Sequence, residues 1–83
     1  MLDASGLTST EEIVAAVDAT PATEVIVLPN NSNVILSAEQ AIALSNKPLR
    51  VVPTLSVQAG LAAMLAYDPE RSATDNEEAM VRA

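Results

Sequence analysis

The stretch Val25-Ile26-Val27-Leu28-Pro29-Asn30-Asn31-Ser32-Asn33 joins an apolar run to a cluster of short polar side chains. Glu24 to Leu28 reads as the first strand, apolar without alternation from Val25 on, as expected of a parallel strand covered by helices on both faces. Pro29 has no N–H to donate and ends the ladder. Asn and Ser favour turns, because their side chains hydrogen-bond nearby backbone groups. Asn33 is read as the N-cap of a helix over 34–45. That helix turns Ile35, Ala38, Ala41, Ile42 and Ser45 toward one face. A strand, a tight turn and a helix follow one another within about twenty residues.

The pattern then recurs. Leu49 to Val52 is a second apolar run ended by a proline, Pro53. Thr54 or Ser56 can cap the following helix, over 57–67, whose apolar positions are Val57, Leu61, Met64 and Leu65. Gly60 inside this helix costs about 1 kcal/mol relative to alanine, which a close approach to the sheet would explain. Upstream, Thr8 with Glu11 and Ser9 with Glu12 form overlapping capping patterns. They open a helix over 9–19 with Ile13, Val14, Ala16 and Val17 on one stripe. Downstream, Thr74 with Glu77, or Asp75 with Glu78, marks a last short helix. Residues 1–7 and 70–75 carry no period and are expected to be loose.

These elements predict an α/β domain spanning 1–83: a small parallel sheet, β-α-β-α with a preceding helix, a Rossmann-like fragment. Parallel strands require a right-handed crossover. Two strands leave unpaired edges, so the sheet is expected to be incomplete, continued by other residues or by another chain.

Composition narrows the function. The chain has 83 residues, 49% of them apolar, and Tyr67 is its one aromatic. The core must therefore come from Val, Ile, Leu, Ala and Met. A net charge of −7 and four scattered basic residues disfavour nucleic acid and anionic membrane surfaces, which need clustered Lys and Arg. There is no cysteine and no histidine. Thiolate chemistry, disulfides and the commonest general base and metal ligand are excluded. No apolar run approaches the ~20 residues of a membrane span, and no leader is visible at the start. A cytoplasmic setting is the expectation.

In open α/β sheets ligands bind beyond the carboxyl ends of the strands. Asn30, Asn31, Asn33 and Thr54 fall there and are the candidate ligand-binding residues; beside helix N-termini they would suit an anion. Turn and cap chemistry accounts for the same residues. The loop lacks the glycine and lysine of a phosphate cradle. Glu39, Asp68 and Asp18 form no carboxylate pair, Lys47 reads as a loop lysine, and no serine has a histidine partner. No catalytic residue and no metal ligand is assigned. The alanine-rich helices, with Gly60, Met64 and Met80, suit either internal packing or a self-association surface.

Motifs from Glu24 onward resemble those of the dihydroxyacetone-kinase-like proteins, the bacterial fatty acid kinase A family, in their middle region. The matching pieces are the strand-turn Glu24–Asn33, the helix segment Ala38–Ala41, the strand Val51–Thr54, the helix Gln58–Ala66 and the exit Tyr67–Pro69. Ser32 departs from the pattern, since relatives often carry lysine there. The resemblance implies a parent protein whose kinase domain, outside this chain, binds ATP and magnesium. That parent would phosphorylate a fatty acid presented by a separate fatty-acid-binding subunit. The middle domain itself is expected to be non-catalytic, to link the other domains and to support a homodimer. A further strand–helix unit precedes the equivalent of Leu7 in the family and is expected to be missing here. The alternative is a small anion- or ligand-binding module built on the Asn30–Asn33 loop.

Overall fold

Burial of Val25–Leu28 on both sides sets the layering of the molecule. The computed structural model describes residues 1–7 and 9–83; the capping pattern expected at Thr8 lies outside the described residues. The elements, in chain order, are β1 (Leu2–Asp3), α1 (Thr10–Ala19), β2 (Val25–Leu28), α2 (Ser32–Leu44), β3 (Leu49–Val51), α3 (Val57–Leu65) and α4 (Ala73–Arg82). The strands form a parallel sheet of order β1-β2-β3, with β2 central. The architecture is the open α/β sheet that the sequence predicts.

Alternate residues of β2 feed opposite cores. Val25 and Val27, with Leu49, pack against Ile13 and Val17 of α1 and Val34, Ala38 and Ala41 of α2. Ile26 and Leu28, with Val52, pack against Ala63 of α3 and Met80 of α4. Helices α1 and α2 thus cover one face of the sheet, and α3 and α4 cover the other. Lys47, read as a loop lysine, donates its ammonium to the Thr20 carbonyl and ties two loops together at one end of the sheet.

The leading segment is not loose. Leu2 and Asp3 pair with Val27 and Leu28, and the Ala4 N–H donates to the Leu28 carbonyl at 2.9 Å. A two-residue strand is too short to show a period, so only the partner strand makes it one. It supplies a strand upstream of Leu7, where the family resemblance predicted a missing unit. At the other end, α4 starts inside the stretch expected to be a linker. Its N-cap is Ser72, whose hydroxyl accepts from the Asp75 N–H at 3.1 Å, rather than Thr74 or Asp75. In α1 the expected cap is present: Ser9 accepts from the Glu12 N–H at 3.2 Å and its hydroxyl donates to the Glu12 carboxylate.

Two helices are rotated from their expected phase. In α2 the buried positions are Val34, Ala38 and Ala41, while Ile42 is about half exposed and Ile35 lies at the margin. In α3 the inversion is complete. Gly60 and Ala63 face the sheet, and Val57, Leu61, Met64 and Leu65 all point outward.

Asn76 holds the α3–α4 connection. Only 2% exposed, its carboxamide oxygen accepts from the Asp68 N–H at 2.8 Å, and its amide donates to the carbonyls of Asp68 and Arg71. Truncation to alanine leaves partly buried backbone groups of Asp68 and Arg71 without this partner, each at a cost of up to about 1–3 kcal/mol. Asn76→Ala is therefore expected to destabilise the domain by roughly 1–3 kcal/mol in urea unfolding, more than an exposed Asn33→Ala.

Candidate functional site

The carboxyl edge of the sheet gathers residues from all three strands and from α3. Pro29 ends β2, and Asn30 turns the chain with φ 57°, in the left-handed region. Asn tolerates this conformation better than most residues do. From there the side chain reaches under the sheet edge. Its Nδ2 donates to Asp3 Oδ1 at 3.0 Å, and its Oδ1 accepts from the Thr54 hydroxyl at 2.7 Å. The Asn30 backbone N–H in turn donates to Thr54 Oγ1 at 3.0 Å. Thr54 and Asn30 thereby close a two-bond ring between the ends of β3 and β2, and Asp3 adds the end of β1.

Gly60 of α3 forms the lid of this knot. A Cβ at position 60 would lie 2.1 Å from Asn30 Oδ1 and 2.6 Å from Asn30 Cγ. No side chain larger than hydrogen fits while Asn30 keeps its place. The glycine signals a close helix–sheet contact, as its position within the helix suggested, and its partner is a buried carboxamide.

The four candidate ligand residues separate into two pairs. Asn30 and Thr54 are buried and bonded to each other. Asn31 and Asn33 sit at the start of α2, and Asn31, not Asn33, is the N-cap. The Asn31 carboxamide oxygen accepts from the Asn33 N–H at 2.9 Å, because the helix begins two residues earlier than its apolar pattern does. Ser56 caps α3, accepting from the Ala59 N–H at 3.1 Å, which leaves Thr54 for Asn30. Among the described residues, every buried side-chain nitrogen or oxygen has a hydrogen-bond partner. Also among them, no group of three or more acidic, His or Cys side chains is placed to hold a metal ion.

Sequence reasoning missed Asp3. Its one visible signal is the short spacing to Ser5, whose N–H donates to the carboxylate at 2.9 Å. That bond chiefly holds the Asp3 carboxyl below its ordinary value of 3.8, against partial desolvation; the Ser5 hydroxyl and the Asn30 amide add to it. A carboxyl lowered on folding contributes stability that is present above its unfolded pKa and is lost as pH falls through the folded one. Asp3→Asn should accordingly be less stable than the unmodified chain at neutral pH. The gap should close as pH drops below the ordinary carboxylate range, as followed by thermal unfolding across pH.

Alanine in place of a mid-helix glycine ordinarily stabilises by about 1 kcal/mol. Here the sign should reverse: Gly60→Ala is expected to cost roughly 1–3 kcal/mol, the range for overpacking. In an Asn30→Gly background, where a left-handed φ suits the new residue, the same change should become neutral or stabilising. A double-mutant cycle by urea unfolding measures this coupling.

The family model that matches residues 3–83 describes the C-terminal part of proteins like the A component of fatty acid kinase. Protein YloV of Bacillus subtilis is 43% identical over 75 residues, which is 90% of this chain and 14% of that protein. A protein of Staphylococcus haemolyticus is 40% identical over 75 residues, again 90% of this chain and 14% of the relative. One from Staphylococcus epidermidis is 38% identical over 72 residues, 87% of this chain and 13% of the relative. The chain thus spans a small part of the length of the curated relatives it matches. The matching description names a C-terminal part, where the motif resemblance pointed to the middle. On the match over residues 3–83, the chain belongs to the fatty acid kinase A-like family.

Proposed function

We propose that this chain is a non-catalytic, linking and self-associating domain of a fatty acid kinase A-like protein in the cytoplasm. The whole protein would phosphorylate a fatty acid presented by a partner that binds it, with ATP and magnesium held by a kinase domain outside these residues. Family membership supports the setting. In this proposal the Asn30–Asn33 loop is a structural turn, because its buried members spend their hydrogen bonds on Asp3 and Thr54.

The observation that carries self-association is the outward face of α3. Leu65 is 90% exposed and Leu61 55%, with Val57, Met64 and Leu55 beside them, while Ala63 is 1% exposed against the sheet. A helix that buries its small residues and displays its large ones has an apolar stripe that water does not favour. A two-fold pairing of such stripes would cover it on both copies at once.

Light scattering of the 83-residue chain should report a dimer at high micromolar concentration. Leu61→Glu with Leu65→Glu should convert it to a monomer with its circular dichroism unchanged, since neither side chain enters the core. A monomeric parent chain at those concentrations would overturn the proposal.

A further inference from the structure

We infer that Asp3 and Asn30 form a relay across the sheet, through which the docking of β1 sets how firmly α3 is held. Successive residues of a strand point to opposite faces. Leu2 and Ala4 pack with the cluster that contains Ile13 and Val17 of α1 and Ala38 and Ala41 of α2, and Leu7 joins them. The opposite cluster holds Ala63 of α3 and Met80 of α4. Among the described residues, it takes no apolar side chain from β1. By packing alone, a disturbance of β1 should therefore be felt at α1 and α2.

Asp3 is the exception. Its Oδ1 accepts from Asn30 Nδ2 at 3.0 Å, and the Ser5 N–H donates to the same oxygen at 2.9 Å. The carboxylate is thus fixed by the turn that follows β1. The Asn30 carboxamide is held at its other end as well, where Oδ1 accepts from the Thr54 hydroxyl at 2.7 Å. Thr54 opens the short segment that leads to Ser56, the N-cap of α3. The backbone of α3 also passes so close to this carboxamide that a Cβ at Gly60 would lie 2.1 Å from Oδ1 and 2.8 Å from Nδ2.

One carboxamide therefore carries the state of β1 to α3 by two routes, Thr54 at the helix entry and Gly60 in its second turn. Close-packed interiors transmit such shifts, because few voids exist to absorb them. Asp3 is a positioning residue that acts on α3 through Asn30. When β1 leaves, the carboxamide loses the partner that orients its Nδ2, and the surface on which Gly60 rests is no longer fixed. The relay does not rest on self-association, and its readout is local to one chain. It makes the hold on α3 answer to the state of a strand whose apolar side chains pack on the other face of the sheet.

Amide hydrogen exchange by NMR on the 83-residue chain tests the relay. Asp3→Ala, at an exposed position, should speed exchange at Gly60 and Ala63 by roughly fivefold, the net worth of one hydrogen bond, through local opening of α3. Exchange at Val17 of α1 and Ala41 of α2 should change by less than about twofold. Asp3→Asn, whose carboxamide oxygen can still accept from Asn30, should speed Gly60 and Ala63 less than Asp3→Ala does. In an Asn30→Gly background, Asp3→Ala should no longer act on α3 more than on α1. Unchanged exchange at Gly60 and Ala63 in Asp3→Ala would overturn the inference, whatever happens at Val17 and Ala41. So would equal speeding at all four amides, which marks global destabilisation, or a preference for α3 that survives in the Asn30→Gly background.

Discussion

One carboxamide sets how this domain closes. Asn30 stands where the backbone must turn left-handed after Pro29, and its side chain meets Asp3, Thr54 and Gly60 together. Each buried hydrogen bond is worth only about 1 kcal/mol net, but leaving one unmade costs about 1–3. The knot is consequently more important for what it forbids than for what it adds. With Asn30 in place, α3 can approach the sheet only through a residue without a Cβ, and Gly60 is that residue.

The rotational phase of α3 follows from this contact. Residues advance about 100° around a helix. Leu61 therefore lies about 100° from Gly60, and Leu65 about 140°. Ala63, three residues on, returns to the sheet side and is buried. A polar knot at the strand ends thus turns Leu61 and Leu65 outward and leaves Val57 and Met64 on the flanks of the buried stripe. The apolar outward face of α3 is in this sense a consequence of the turn.

The strand–turn–helix order was legible because it depends on local chemistry. Val25–Leu28 has a continuous apolar run, Pro29 and Pro53 stop ladders, and Ser9 with Glu12 marks a helix start. Helix phase was not legible, because periodicity reports an apolar stripe without saying whether that stripe meets the sheet. In α3 the stripe of large residues competes with a stripe of small ones, and tertiary contact at Gly60 chose the small. Strand β1 was illegible for another reason: two residues carry no pattern, and their strand character exists only through Val27 and Leu28. The candidate site was half legible. Asn30 and Thr54 were placed at the correct edge of the sheet, but their mutual hydrogen bonds depend on a separation of twenty-four positions that no local rule supplies.

Among the described residues, the α3 face and the β3 edge are open surfaces of different physical character. The α3 face is apolar and non-directional, so its association should respond to area and shape. The β3 edge presents oriented N–H and C=O groups, so pairing there would depend on register. The proposed pairing through α3 would bring together two chains of net charge −7, a repulsion that added salt would relieve.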